Sequence, residues 1–314
     1  MRVGIAIDVS TDVSQRFVAD HNIHVLPSTI HMGDASVVYD RDQERGLAFY
    51  REHLAEKGVD AETTPFTVGE IEELFLKKLV LEYDYVFLIT LTATRSQTFD
   101  NAHKASFTVL QSYHQIRSAA RVPGPFALRV VDSQSLFTGP GVLAWETVRM
   151  VEDRRSPVDI RKRLDDLVPH LYAYLVPNDL YYMRARAAKR GDHSVGPLAY
   201  LVGSALDLKP LIQAHGGETR AVRRVRHFDA AVLTLFQHGA ERIRQGLLVP
   251  MIGVSYGGDP AEIEKMPGYD ELATTARERG VELMTSMMSP AAAVNVGGGG
   301  ITLAYCADPG EFAE

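Results

Sequence analysis

Three carboxylates and two groups of hydroxyl residues stand beside short apolar runs in this chain. Asp8 and Asp12 close the run IAIDVSTD, and Asp132 closes VVDSQS. Thr63, Thr64 and Thr67 fall in TTPFTVGE, and Thr90, Thr92, Thr94, Ser96 and Thr98 fall in ITLTATRSQTFDNA. An Asp that ends a strand can hold a metal, act as a nucleophile or shape a turn by accepting backbone N–H bonds. The phosphatase form of this pattern is a strand followed by Asp-x-Asp, and Ser10 stands where the second acid is needed. That removes the general acid, so turn formation by Asp8 and Asp12 is the simpler reading. A metal-dependent phosphoryl-transfer or hydrolase site built from Asp8, Asp12 and Asp132 is the alternative, because all three can converge at one sheet edge. The hydroxyl clusters suggest a different chemistry. A strand, a hydroxyl-rich turn and a helix start together make a cradle for an anion. Thr94 and Ser96 are as suited to capping the helix as to contacting a ligand. Thr67 and Glu70 have the spacing of a capping box.

Other features exclude chemistry. The single cysteine, Cys306, rules out an internal disulfide and a cysteine zinc site, and is expected as a small buried residue. The eleven histidines include no helical chelating pair with an acidic neighbour, so no metal is expected. Gly297–Gly300 lacks the Gly-Lys-Ser/Thr of a phosphate loop. No base stands near the Ser/Thr-rich loops to activate a serine nucleophile.

The elements that must position these residues are legible in the apolar pattern. Arg2–Ile7, Tyr85–Leu91 and Phe126–Val131 are compact apolar blocks, the form of strands buried on both faces of a parallel sheet. Helical stripes separate them: Leu47, Tyr50 and Leu54, stopped by Gly58; Ile71, Leu74, Phe75 and Leu79; and Phe99, Ala102, Ser106, Val109, Leu110 and Tyr113. Strand alternating with helix predicts a doubly wound α/β unit whose ligands sit at the strand C-terminal ends. There the chain offers Asp8–Asp12, Thr92–Thr98 and Asp132–Gly141. The polar run EDRRSP, with Ser156 as cap and Pro157 at the first helical position, places a boundary that divides the chain into 1–153 and 154–314. Beyond it a helix face of Ile160, Leu164, Leu167 and Leu171 precedes strands at Tyr172–Val176, Thr219–Val225, Leu248–Ser255, Val281–Met284 and Ile301–Tyr305. A helix at Asp229–Gln245 presents Val232, Leu233, Phe236, Ala240 and Ile243. Leu206–Arg226 reads as a hairpin turning at Gly216–Gly217. The second unit is therefore expected to be α+β.

The chain has 314 residues, 46% hydrophobic and 23% charged, with net charge −7. Neither half is basic, which argues against binding nucleic acid or an anionic membrane. The N-terminus enters a strand without a signal core, and no apolar run reaches the ~18–20 residues of a membrane span. A cytoplasmic protein without stable membrane insertion is the expectation. Arg184, Arg186, Lys189 and Arg190, with Arg220, Arg223, Arg224 and Arg226, form either a docking face for an acidic partner or an ordinary solvated surface.

Six segments in order resemble the DegV family. They are Asp8–Asp12, the run 24–40 ending in Tyr39–Asp40, residues 63–70, residues 89–102, Val131–Asp132–Ser133 with Gly139-x-Gly141, and LDLKPLIQAHGG followed by Val225–Arg226. AAAVNVGGGGITLAY, residues 291–305, extends the match, with Asn295 where the family has a histidine. NDLYYMRARAAKRGD departs from it by lacking the family's Gly-Gly-Arg. The resemblance implies an N-terminal doubly wound parallel-sheet domain plus a C-terminal α+β domain, with the ligand site between them. It implies a long-chain fatty acid as ligand, presented to a separate fatty acid kinase, and no catalysis or cofactor of the chain's own. The residues it implicates are Thr63, Thr64, Thr92, Ala93, Ser96, Asn295 and Gly297. Asn295 can donate a neutral hydrogen bond but never a charge-assisted one.

Overall fold

A computed structural model describes residues 1–52, 61–183, 207–310 and 312. Strands β1 (Val3–Asp8), β2 (His24–Leu26), β6 (Tyr85–Thr90) and β7 (Ala127–Asp132) form a parallel sheet in the order β2-β1-β6-β7. Their apolar blocks are buried on both faces, as helices on each side require. A second, antiparallel sheet has the order β4-β3-β5, from β3 (Ser28–Met32), β4 (Ala35–Tyr39) and β5 (Ala61–Pro65). The third sheet runs β10-β9-β8-β13-β11-β12, from β8 (Leu171–Val176), β9 (Leu208–His215), β10 (Glu218–Arg226), β11 (Met251–Tyr256), β12 (Glu282–Met287) and β13 (Ile301–Cys306). Only its β11–β12 pair is parallel. The architecture is thus α/β with a parallel sheet followed by a second sheet unit.

The helix Gly139–Glu152 lies between the first and third sheets and touches β1 and β6 on one side and β8, β11 and β13 on the other. One apolar core consequently joins Ile7 and Ile89, Val142 and Leu143, and Met251, Ala304 and Cys306. Cys306 is fully buried, and burial pushes its thiol up to about 12, so it is inert. A separate apolar cluster brings Val9, Ile30, Ala61 and Phe137 against Leu175, Met288, Ala291 and Val294.

Local signals account for most element ends. Thr67 and Glu70 form the expected capping box. Ser156 caps the helix Pro157–Leu167 by accepting from the Asp159 N–H. The helix from Val68 to Glu82 contains a π-turn at Phe75–Leu79, which keeps Ile71, Phe75 and Leu79 all in the core. Gly216 and Gly217, at φ +59° and +79°, make the two-residue hairpin turn that only left-handed residues close easily.

Several sequence expectations need correction. Thr63 and Thr64, to which the apolar pattern assigned no element, lie in β5. Leu110 and Leu233, assigned to buried faces, are 38% and 36% exposed; Ala105 and Leu235 take the core positions instead. In the helix Gln43–Arg51 the buried residues are Gly46 and Phe49, with Leu47 only half-buried. β11 begins at Met251, three positions after Leu248, because Pro250 cannot donate to the ladder. Leu54, Gly58 and the cluster Arg184, Arg186, Lys189 and Arg190 lie outside the described residues.

Candidate functional site

The C-terminal ends of β1, β2 and β6 meet β5 at a small cavity. It is lined by the hydroxyl residues Ser10, Ser28, Thr63, Ser96 and Thr98 and by Asp8, with Leu26, Pro27 and Pro65 as apolar wall. The placement follows from the fold. Ser10 belongs to the turn after β1, Ser28 starts β3, and Thr63 faces inward from β5. Ser96 and Thr98 stand at the start of the helix Thr98–Ala119, with their hydroxyls 2.8 Å apart. Ser28 Oγ is buried and has no hydrogen-bond partner. Buried polar groups are normally paired, so a lining residue with an unpaired hydroxyl has hydrogen-bonding capacity left over.

Among the described residues Asp8 supplies the only charge on the lining. Its carboxylate accepts from the Ser10 N–H at 2.7 Å and the Leu91 N–H at 2.5 Å. Burial pushes its pKa up to about 6, against the opposing pull of those two N–H groups and of Arg41. Among the described residues no lysine, arginine or histidine lines the cavity. A neutral hydroxyl ring beside a reluctant carboxylate suits a carboxyl group far better than a phosphate dianion, which needs cationic neighbours.

The structure brings together Thr63 and Ser96 among the residues singled out from sequence. Thr64 points the other way, exposed, with its hydroxyl 3.0 Å from His31 Nε2. Thr92 is buried at 2% exposure and lies toward the β9–β10 turn. Its Oγ1 is 3.1 Å from that of Thr94, which donates to the Gly217 carbonyl. Ala93 donates its N–H to Asp132 at 3.3 Å. Asn295 sits in the helix Pro290–Val296, which packs against β5, and its side-chain amide donates to the Ala291 carbonyl at 3.0 Å. Gly297, at φ +85°, follows that helix beneath the Tyr182 ring. Ser28 is the contributor that the sequence reading missed; the signal was a hydroxyl directly after Pro27, at the start of a strand too short to register.

The three carboxylates of the alternative reading are each engaged elsewhere. Asp12 accepts from Ser255 and the Ser289 N–H, and Asp132 accepts from the Ala93 and Gln134 N–H groups. Among the described residues no three His, Cys, Asp or Glu side chains are grouped to hold a metal. A larger cavity of about 310 Å³ lies outside β7, walled by Phe99, His103, Val168 and Pro169. Its polar rim is the Arg129–Asp165 ion pair and Asp132, a poor receiver for an anion.

Sequence and structure comparisons place the chain in a family. The model of the DegV family, described as an uncharacterised protein family, matches residues 2–308. The chain belongs to the DegV family. It is 45% identical over 313 residues to a DegV domain-containing protein of Xanthomonas axonopodis pv. citri, covering 100% of both chains. It is 44% identical, with the same coverage, to one of Xanthomonas campestris pv. campestris. Among solved DegV structures, a lipid binding protein from Thermotoga maritima superposes with TM-score 0.75 at 21% identity, over 98% of each chain. DegV of Bacillus subtilis, a fatty acid binding protein, gives TM-score 0.75 at 19% identity, over 98% of this chain and 100% of that one. A stearic acid-binding protein from Eubacterium ventriosum gives the same TM-score, over 97% and 98%. The DegV fold is therefore shared along nearly the whole chain. Among the described residues no helix is long and apolar enough to cross a membrane.

Proposed function

We propose that this DegV protein binds a long-chain fatty acid, with the carboxyl group at the hydroxyl cavity, and presents it to a separate fatty acid kinase. The carrying observation is the unpartnered Oγ of Ser28 on a cavity whose described lining is rich in hydroxyls and holds no cation. On this reading Ser28, Thr63, Ser96 and Thr98 receive the head group, and Asn295 and Gly297 flank the acyl path. Thr92 and Ala93 hold the strand end rather than the ligand. The chain divides into 1–153 and 154–314, and the acyl chain runs between the two units, along the cluster of Val9, Ile30, Ala61, Met288 and Val294. The cavity measures about 20 Å³, room for a water but not an acyl chain. Entry of the ligand therefore parts that cluster. Fatty acid binding by solved relatives of the same fold supports this reading. So does the engagement of Asp8, Asp12 and Asp132 in turn and interface contacts, which favours a carrier over an enzyme.

The test is lipid extraction and mass spectrometry of protein incubated with mixed fatty acids and re-purified. One fatty acid per chain is expected, held less tightly by Thr63→Val with Ser96→Ala. Protein that retains no lipid, yet holds a divalent ion and turns over a phosphomonoester, would overturn the reading in favour of phosphoryl transfer. The kinase step is checked by acyl-phosphate formation from ATP, which should need both proteins together.

A further inference from the structure

We propose that Asp12 is a positioning residue that clamps the ligand-facing turn after β1 to the segment carrying Asn295, and so sets how slowly a bound fatty acid is released. This rests on the carrier reading above. The Asp12 side chain is fully buried, and its partners come from across the molecule. Oδ2 accepts from Ser255 Oγ at 2.7 Å, and Oδ1 accepts from the Ser289 N–H at 2.8 Å. Ser255 lies on β11 and also contacts Thr302 Oγ1 on β13 at 2.6 Å. Ser289 is the N-cap of the helix Pro290–Val296. Both partners belong to the second sheet unit, whereas Asp8, Val9 and Ser10, just before Asp12, line the cavity.

The turn has a rigid backing. Arg41, itself buried and at φ +69°, donates to the carbonyls of Val9, Thr11 and Val13 at 3.3, 2.5 and 2.8 Å. Its guanidinium stands 3.5 Å from Asp12 Oδ1. The Asp12 N–H donates to the Phe137 carbonyl at 2.9 Å. The carboxylate is needed as an acceptor on every side: the hydroxyl, the amide N–H and the guanidinium all donate to it. An asparagine would turn an N–H₂ toward at least one of those donors. Movement of the turn is thus transmitted to both Ser289 and Ser255, and loss of the carboxylate frees the hydroxyl cluster from the Asn295 helix.

The experiment measures release of a bound fluorescent fatty acid into phosphatidylcholine vesicles, together with hydrogen exchange of the amides over 289–296. Three variants are compared: Asp12→Asn, Ser255→Ala and the core control Val109→Ala, remote from the clamp. Asp12→Asn should speed release by about tenfold or more, since charge-assisted bonds are lost, with a smaller change for Ser255→Ala. The control, although destabilised, should release at the parental rate. Unchanged release in both clamp variants, or an equal change in the control, overturns the proposal. If Asp12→Asn does not fold, Ser255→Ala decides. If the parent protein takes up no fatty acid, the carrier reading fails, and exchange still judges the clamp: faster exchange over 289–296 in Ser255→Ala than in the control sustains it, and equal exchange refutes it.

Discussion

Lowering the pH should strengthen fatty acid binding through Asp8. This carboxylate lines the head-group cavity, and burial raises its pKa from the ordinary 3.8 to about 6. At neutral pH the site therefore carries a negative charge beside the place proposed for a second one. Two carboxylates in one desolvated site cannot both ionise freely, so binding of an acid raises the Asp8 pKa further and takes up a proton. When one proton is coupled to binding, affinity changes by up to about tenfold per pH unit above the free-site pKa and flattens below it. From about pH 8 to pH 6 the wild-type dissociation constant should fall by up to about a hundredfold. Asp8→Asn removes the charge and should flatten that profile, while binding a fatty alcohol should show little pH dependence in either protein. Fluorescent fatty-acid displacement across this range is the assay. A flat wild-type profile, or a slope that persists in Asp8→Asn, would refute the reasoning. The same shift has a stability consequence of definite sign. The folded state holds this proton more tightly than the unfolded chain, so the associated stability is complete below the ordinary carboxylate range. It is lost as pH rises through about 6. The loss approaches ~3 kcal/mol for a shift of this size, and urea titrations at about pH 3.5 and about pH 7, compared between the wild type and Asp8→Asn, would register it.

Ser28→Ala should separate stability from binding: deleting a buried, unpartnered hydroxyl leaves the free energy of urea unfolding unchanged or raises it by up to ~1 kcal/mol, yet weakens carboxylate binding. Gly297→Ala should destabilise by ~1–3 kcal/mol in thermal unfolding, because φ +85°, ψ 161° is a backbone region kept for glycine and the new Cβ meets the Tyr182 ring. Arg117→Met should cost ~3–5 kcal/mol, measured the same way, since the buried guanidinium binds the Val80, Tyr83 and Pro123 carbonyls and Asp84.

What the sequence disclosed and what it hid follow from burial. β1, β6 and β7 are compact apolar blocks because both faces are covered, and the β9–β10 hairpin is marked by its two left-handed glycines. The β4-β3-β5 sheet gave no such sign. β5 reads AETTP and alternates between buried and exposed positions, and the first four residues of β4 are exposed. A strand this short and polar looks like a loop until its partner is known. Thr63 and Thr64 illustrate the result: adjacent in sequence, they point to opposite faces, one into the cavity and one to His31. Thr92 shows a second limit. After a strand ends, no period dictates direction, and the turn aims its hydroxyl at the distant Gly217 segment rather than at the cavity. Cross-chain geometry of that kind has no local signature.

A cavity without a cation cannot draw its affinity from the head group, so the acyl tail must supply it. Each buried CH₂ contributes ~0.8 kcal/mol, and two more carbons should therefore tighten binding by up to about fifteenfold. That ceiling applies only where the tail enters space already open. The cluster of Val9, Ile30, Phe137, Met288 and Val294 is closely packed, and separating it forfeits part of the same burial. The measured increment per methylene thus reports how much of the slot exists before the ligand arrives. A series of saturated acids, compared by displacement, should rise steadily and then stop where the slot ends. Affinity indifferent to chain length would mean that the tail stays outside, and the interior path between the two sheet units would have to be abandoned.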